Sequence, residues 1–153
     1  MFNTLTGRQI RKTTNRFVIG TAVMAVTCSG IALTPTTADA VIRTHLCRAD
    51  GFTGRIIIDY ETNSSTGKIS FVNRINYQID KGSNDGGNRA NVDYIASRPG
   101  SDLKYSTGDA AIQDNQQHYL GGPYYVQGNE EINAYFIFDK SRASDPRCSI
   151  AIQ

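Results

Sequence analysis

His45 and His118 are the two histidines of the chain, and imidazole is the side chain best suited to proton transfer near neutral pH. Together with nearby hydroxyls and carboxylates either could serve a small hydrolase. No Gly-x-Ser-x-Gly turn, however, is present to hold a serine nucleophile proud of a sheet. Ser65-Thr66-Gly67-Lys68 and Ser101-Asp102-Leu103-Lys104 both read Ser-x-x-Lys. Each falls in a turn before an expected strand rather than on a buried helix, and Ser83-Asn84-Asp85 is not the companion motif. Gly67-Lys68 also lacks the upstream glycine of a phosphate loop. The glutamates are Glu61, Glu130 and Glu131. A glycosidase sets two carboxylates across a sugar from each other, whereas neighbours on a strand face opposite ways. Glu130 and Glu131 therefore read as a charged strand entrance.

The segment Asp80 to Asp93 is rich in Asp, Asn and Gly, which suits calcium oxygens. The EF-hand order fails, with Gly82 in the third position and Asn91 in the twelfth, where a bidentate Glu belongs. It reads as a hairpin connection. No metal and no cofactor is implied. Asn63-Ser64-Ser65 is a glycosylation sequon placed in an expected turn.

The run His118-Tyr119-Leu120-Gly121-Gly122-Pro123-Tyr124-Tyr125 gathers three of the eight tyrosines around a Gly-Gly-Pro turn. Tyrosine offers a flat apolar face with a polar tip, a shape that suits peptides, proteins and sugars. Tyr119, Tyr124 and Tyr125 are the candidate contact residues. Because neighbours alternate, Tyr124 and Tyr125 cannot both enter the core. The absence of tryptophan argues against a strong sugar platform.

These residues must be positioned by strands, because the apolar period is two almost throughout. Over Lys68 to Asp80, residues Ile69, Phe71, Ile75, Tyr77 and Ile79 read as one face; Val72 and Asn73 break the rule and predict a bulge. Ile132 to Asp139 reads as a central strand. Shorter strands are expected over Val41 to Leu46, Gly54 to Tyr60, Asn91 to Ala96, Leu103 to Ser106, His118 to Leu120, Tyr124 to Gln127 and Ser149 to Ile152. Only Thr107 to Asn115 offers a turn of helix. Strands this short, separated by Gly, Asn, Ser and Pro clusters, predict a single all-β antiparallel sandwich, Ig-like in outline, or a small barrel.

The first 40 residues read as a secretory signal, with Arg8, Arg11, Lys12 and Arg16 ahead of an uncharged run from Phe17 to Leu33 and an Ala38-Asp39-Ala40 exit. The long basic head has a bacterial character. Residues 41–153 then form the exported domain. It keeps 12 basic and 13 acidic residues, a net charge of −1, which lacks the positive footprint of a nucleic-acid binder and leaves no membrane span after cleavage. Cys28 departs with the leader. Cys47 and Cys148 remain, an even count suited to a bridge between the first and last strands. Two cysteines with neither histidine at ligand spacing do not make a zinc site.

The resulting expectation is a secreted, non-enzymatic binding module whose loops and tyrosines meet an extracellular protein or glycan, with the histidine hydrolase as the alternative. The leader makes a direct prediction. N-terminal sequencing of exported protein should begin at Val41, and an intact Met1 on that material overturns the assignment.

Overall fold

A computed structural model describes residues 40–141 and 143–152. The expected leader, apart from Ala40, lies outside the described residues. The strands are β1 (Ala40–Ala49), β2 (Phe52–Thr62), β3 (Ile69–Asp80), β4 (Asn91–Ser97), β5 (Leu103–Ser106), β6 (His118–Gly121), β7 (Tyr124–Tyr125), β8 (Glu131–Ile137) and β9 (Arg147–Ile152). They form two antiparallel sheets, one ordered β1-β2-β3-β6 with β7 also pairing β3, the other β5-β4-β8-β9. The two inner faces meet in one core that includes Ile56, Ile58, Ile75, Ile79, Val92, Phe136 and Ile150. This is a sandwich, not a closed barrel, since no ladder joins the two sheets among the described residues.

The strands run longer than the apolar alternation suggests. β1 and β2 pair from Ala40↔Glu61 to Ala49↔Phe52 because Asp50 and Gly51, with φ of 49° and 82°, make a two-residue turn. Asp-Gly suits that turn because both central positions need positive φ, which twists the hairpin in the same sense as its strands. Elsewhere the expectation shrinks or fails. Tyr124 to Gln127 yields only the two residues of β7, and Thr107 to Asn115 is irregular backbone with one bridge, Ala90↔Ala111. The connection 81–90 is no hairpin, since it carries the chain from β3 in the first sheet to β4 in the second.

The bulge in β3 falls where the sequence places it, but its effect differs from the simple alternation. Opposite β2 the register steps from Asp59↔Arg74 to Tyr60↔Val72, leaving Asn73 unpaired. One extra residue reverses facing for Val72 and Phe71, and a second shift, between Glu61↔Phe71 and Thr62↔Ile69, returns Ile69 to the core side. Val72 is therefore fully buried, while Phe71, expected in the core, stands on the outer face beside Tyr125.

The two ends of the sandwich are built differently. At the end carrying 50–51, 81–90, 107–117 and 138–146, Gln113 is buried with its polar groups satisfied. Its Nε2 donates to the carbonyls of Gly87 and Asp139 at 2.8 and 2.9 Å, and its Oε1 accepts from Asp139 N at 3.2 Å. Burying an amide without partners costs roughly 1–3 kcal/mol, so these bonds hold three loops in one arrangement. The Asn84 amide donates to the Asp50 carbonyl at 3.0 Å, and Lys140 pairs with the Asp50 carboxylate, tying the first hairpin to the same end.

The sheets are fastened along one edge by Cys47 of β1 and Cys148 of β9, whose Cα atoms lie 5.9 Å apart across a sequence separation of 101. A loop this long loses up to roughly 4.7 kcal/mol of unfolded-state entropy in the chain-entropy model. Replacing both cysteines with alanine should lower unfolding free energy in urea by roughly 2–5 kcal/mol; an unchanged midpoint, or two titratable thiols in the native protein, contradicts the bridge.

Candidate functional site

Tyr124 and Tyr125 are separated by the pleat. Tyr125 pairs with Phe71 and Tyr124 with Val72 across β3 and β7. Tyr125 is 75% exposed, and its ring packs on Phe71 with centroids 4.7 Å apart. Tyr119, opposite Asn76 on β6, faces the same way, is 63% exposed, and donates its hydroxyl to the Gly122 carbonyl at 2.7 Å. Pro123, also exposed, joins the two strands through a cis bond to Gly122. Tyr119, Pro123, Tyr125 and Phe71 thus follow one sheet edge on its outer face.

Tyr124 is a correction to the candidate set, being only 8% exposed. Its ring lies inside, 6.3 Å from both Tyr94 and Tyr105, and its hydroxyl meets that of Tyr94 at 2.8 Å. Gly121 makes room for this cluster, since a Cβ there would collide with the Tyr105 ring. Burial raises the hydroxyl pKa of Tyr94, and it pushes Tyr124 up to about 12, so both stay protonated at neutral pH.

Arg98 links the interior cluster to the outer strip. Its guanidinium carbon sits 5.3 Å from the Tyr124 ring centroid, and Nη2 donates to the Tyr125 carbonyl at 3.2 Å. Nε lies 2.7 Å from Glu130 Oε1, an ion-pair contact off the line of N–H donation. Oε1 accepts instead from Gln127 N at 2.7 Å. The Glu130 side chain is completely buried, and its Oε2 has no hydrogen-bond partner among the described residues. Glu131, by contrast, is exposed, as the opposite facing of neighbours requires.

No family model, no curated protein and no solved structure matches the chain.

Beside Glu130 a cavity of about 610 Å³ opens at the end of the sandwich opposite Gln113. Tyr60, Ile69, Val126, Ile132 and Ile152 give it apolar walls, and the exposed Arg43 and Lys68 are also among its lining. Lys68 Nζ donates to Asn129 Oδ1 at 3.0 Å. Neither cation forms an ion pair among the described residues.

The two histidines are not brought together. His45 sits on β1 opposite Ile56 and His118 on β6 opposite Tyr77, three strand spacings or about 14 Å apart. His118 Nε2 is 2.8 Å from Asp114 Oδ1 and its ring stacks on Tyr77. That contact holds the Asp114 carboxyl below its ordinary pKa, helped by the Gln116 amide. Partial burial, then the Arg43 charge, lowers the His45 pKa. No serine or threonine hydroxyl is bonded to either ring among the described residues, and neither ring lines the cavity. Within 80–93, Asp80 accepts from Gly82 N at 2.9 Å. Among the described residues no three His, Cys, Asp or Glu side chains converge as metal ligands.

The sequence places Phe71 on the face that carries the core and Glu130 at a charged strand entrance, and it does not single out Arg98. A signal existed for Glu130, which lies two residues before the inward Ile132 and so shares its facing. None existed for Arg98, whose partners come from other strands. The split of the tyrosines has a stability consequence. Tyr124→Ala should destabilise by about 3 kcal/mol or more, as for other large aromatic truncations in a core. Tyr125→Ala should cost about 1 kcal/mol or less, the scale of one exposed aromatic contact. Equal costs in chemical denaturation contradict the assignment of faces.

Proposed function

We propose that this domain is an extracellular binding module, without catalytic chemistry of its own, that meets a partner protein or glycan through Tyr119, Pro123, Tyr125 and Phe71. The observation that carries the reading is the exposed Tyr125 ring, held against Phe71 rather than left free. A ring already restricted by a neighbour loses less rotamer freedom on binding. The backbone beneath it is fixed as well, because Tyr124 is anchored in the core and Arg98 holds the Tyr125 carbonyl. Tyrosine is among the residues that dominate interface energetics when its flat face is covered.

Export is part of the same proposal. The basic head, apolar run and Ala-x-Ala exit favour it, and a disulfide between distant strands belongs to an oxidising compartment. No helix among the described residues is long and apolar enough to cross a membrane.

The test compares wild-type protein with Tyr125→Ala and Tyr119→Ala as baits in culture medium, and the same three proteins on a glycan array. Loss of a specifically captured protein or glycan in the Tyr125 variant, with its thermal transition retained, is the expected outcome. Affinity should fall by about 1 kcal/mol or more for a contact residue. A partner retained equally by both variants removes this face from the binding surface.

A further inference from the structure

The open end of the sandwich carries features that its packing does not explain. Gln113 closes the opposite end with its polar groups satisfied. At the cavity end, Glu130 is a wholly buried carboxylate with one oxygen partnered and Oε2 without a partner among the described residues. That side chain has no exposed surface, so Oε2 is shielded from the cavity and the residue borders it through its other atoms. Glu130 lines a cavity of about 610 Å³, within the range of roughly 300–1,000 Å³ usual for small-molecule sites. Apolar walls joined by a few polar groups are the general form of such sites.

Charge selects the occupant. Glu130 is offset by Arg98 at 2.7 Å, so the charges left uncompensated around the cavity are those of Arg43 and Lys68, both exposed. A ligand must then carry an anion for these two cations and an apolar body for Tyr60, Ile69, Val126, Ile132 and Ile152.

We propose that this cavity binds a small amphipathic carboxylate, its head paired with Arg43 and Lys68 and its apolar body against the walls. N-acylated amino acids have this pattern of groups. The site is independent of the aromatic strip, since it uses different residues at the open end between the sheets.

N-octanoylglycine, which has an eight-carbon acyl chain, one amide N–H and one carboxylate, is the probe. It is titrated into the purified, disulfide-intact protein by calorimetry and by amide chemical-shift mapping. One saturable site is expected, with shifts confined to residues around 41–43, 60–69, 126–132 and 152. The methyl ester, which lacks the charge, should bind about tenfold more weakly. The double variant Arg43→Gln, Lys68→Gln alters exposed side chains and leaves the core untouched. It should weaken the acid by about tenfold and leave the ester unchanged. Absence of saturable binding, equal binding of acid and ester, an unaffected double variant, or shifts centred on Tyr119 and Tyr125 each overturns the proposal. Loss of partner capture in the Tyr125 variant bears on the aromatic strip alone.

Discussion

Facing along a strand repeats every second residue, and the unpaired Asn73 breaks that repeat inside β3. Much of the surface chemistry depends on this break. With regular pairing Phe71 would enter the core and Val72 would face solvent. The extra residue sends Val72 inward, where Tyr124 pairs with it, and Phe71 outward, where Tyr125 packs on its ring. A single bulge thus builds the interior hydroxyl pair and the exposed aromatic contact together. The Asn73 amide, which donates to Asp59 Oδ1 at 3.3 Å, gives the bulge a bond of its own across the hairpin.

Polar satisfaction divides the two ends. Both bury a side chain of similar length, Gln113 at one and Glu130 at the other. The glutamine spends its donors and acceptor on loop backbone, which rigidifies three connections and leaves nothing to offer. The glutamate has one oxygen committed to Gln127 N and Arg98 and one without a partner among the described residues. Arg98 adds a link between the ends of this logic, because the same guanidinium touches Glu130, the Tyr124 ring and the Tyr125 carbonyl.

What the sequence determined by itself was local or covalent. Period-two apolar patterning specified strands, Gly, Asn and Pro clusters marked where they stop, and Cys47 and Cys148 had one another as partners. These signals were sufficient for an all-β sandwich closed by Cys47 and Cys148. The opposite facing of Tyr124 and Tyr125 was also local, although which ring would be buried was not.

Only the tertiary structure decided that. Tyr124 is inside because β7 pairs with β3 beyond the bulge, and the register of that pairing is fixed by the packing of both sheets rather than by neighbours in sequence. Arg98 meets Glu130 because the ends of β4 and β8 lie side by side, and the cavity exists because the connections 63–68 and 126–130 meet the start of β1 and the end of β9 there without a plug like Gln113. Strand pairing brings together residues far apart in the chain, and alternation along one strand carries no information about its partner. The chain therefore wrote its layers into local pattern, while its sites arose from register and from the way the two layers close.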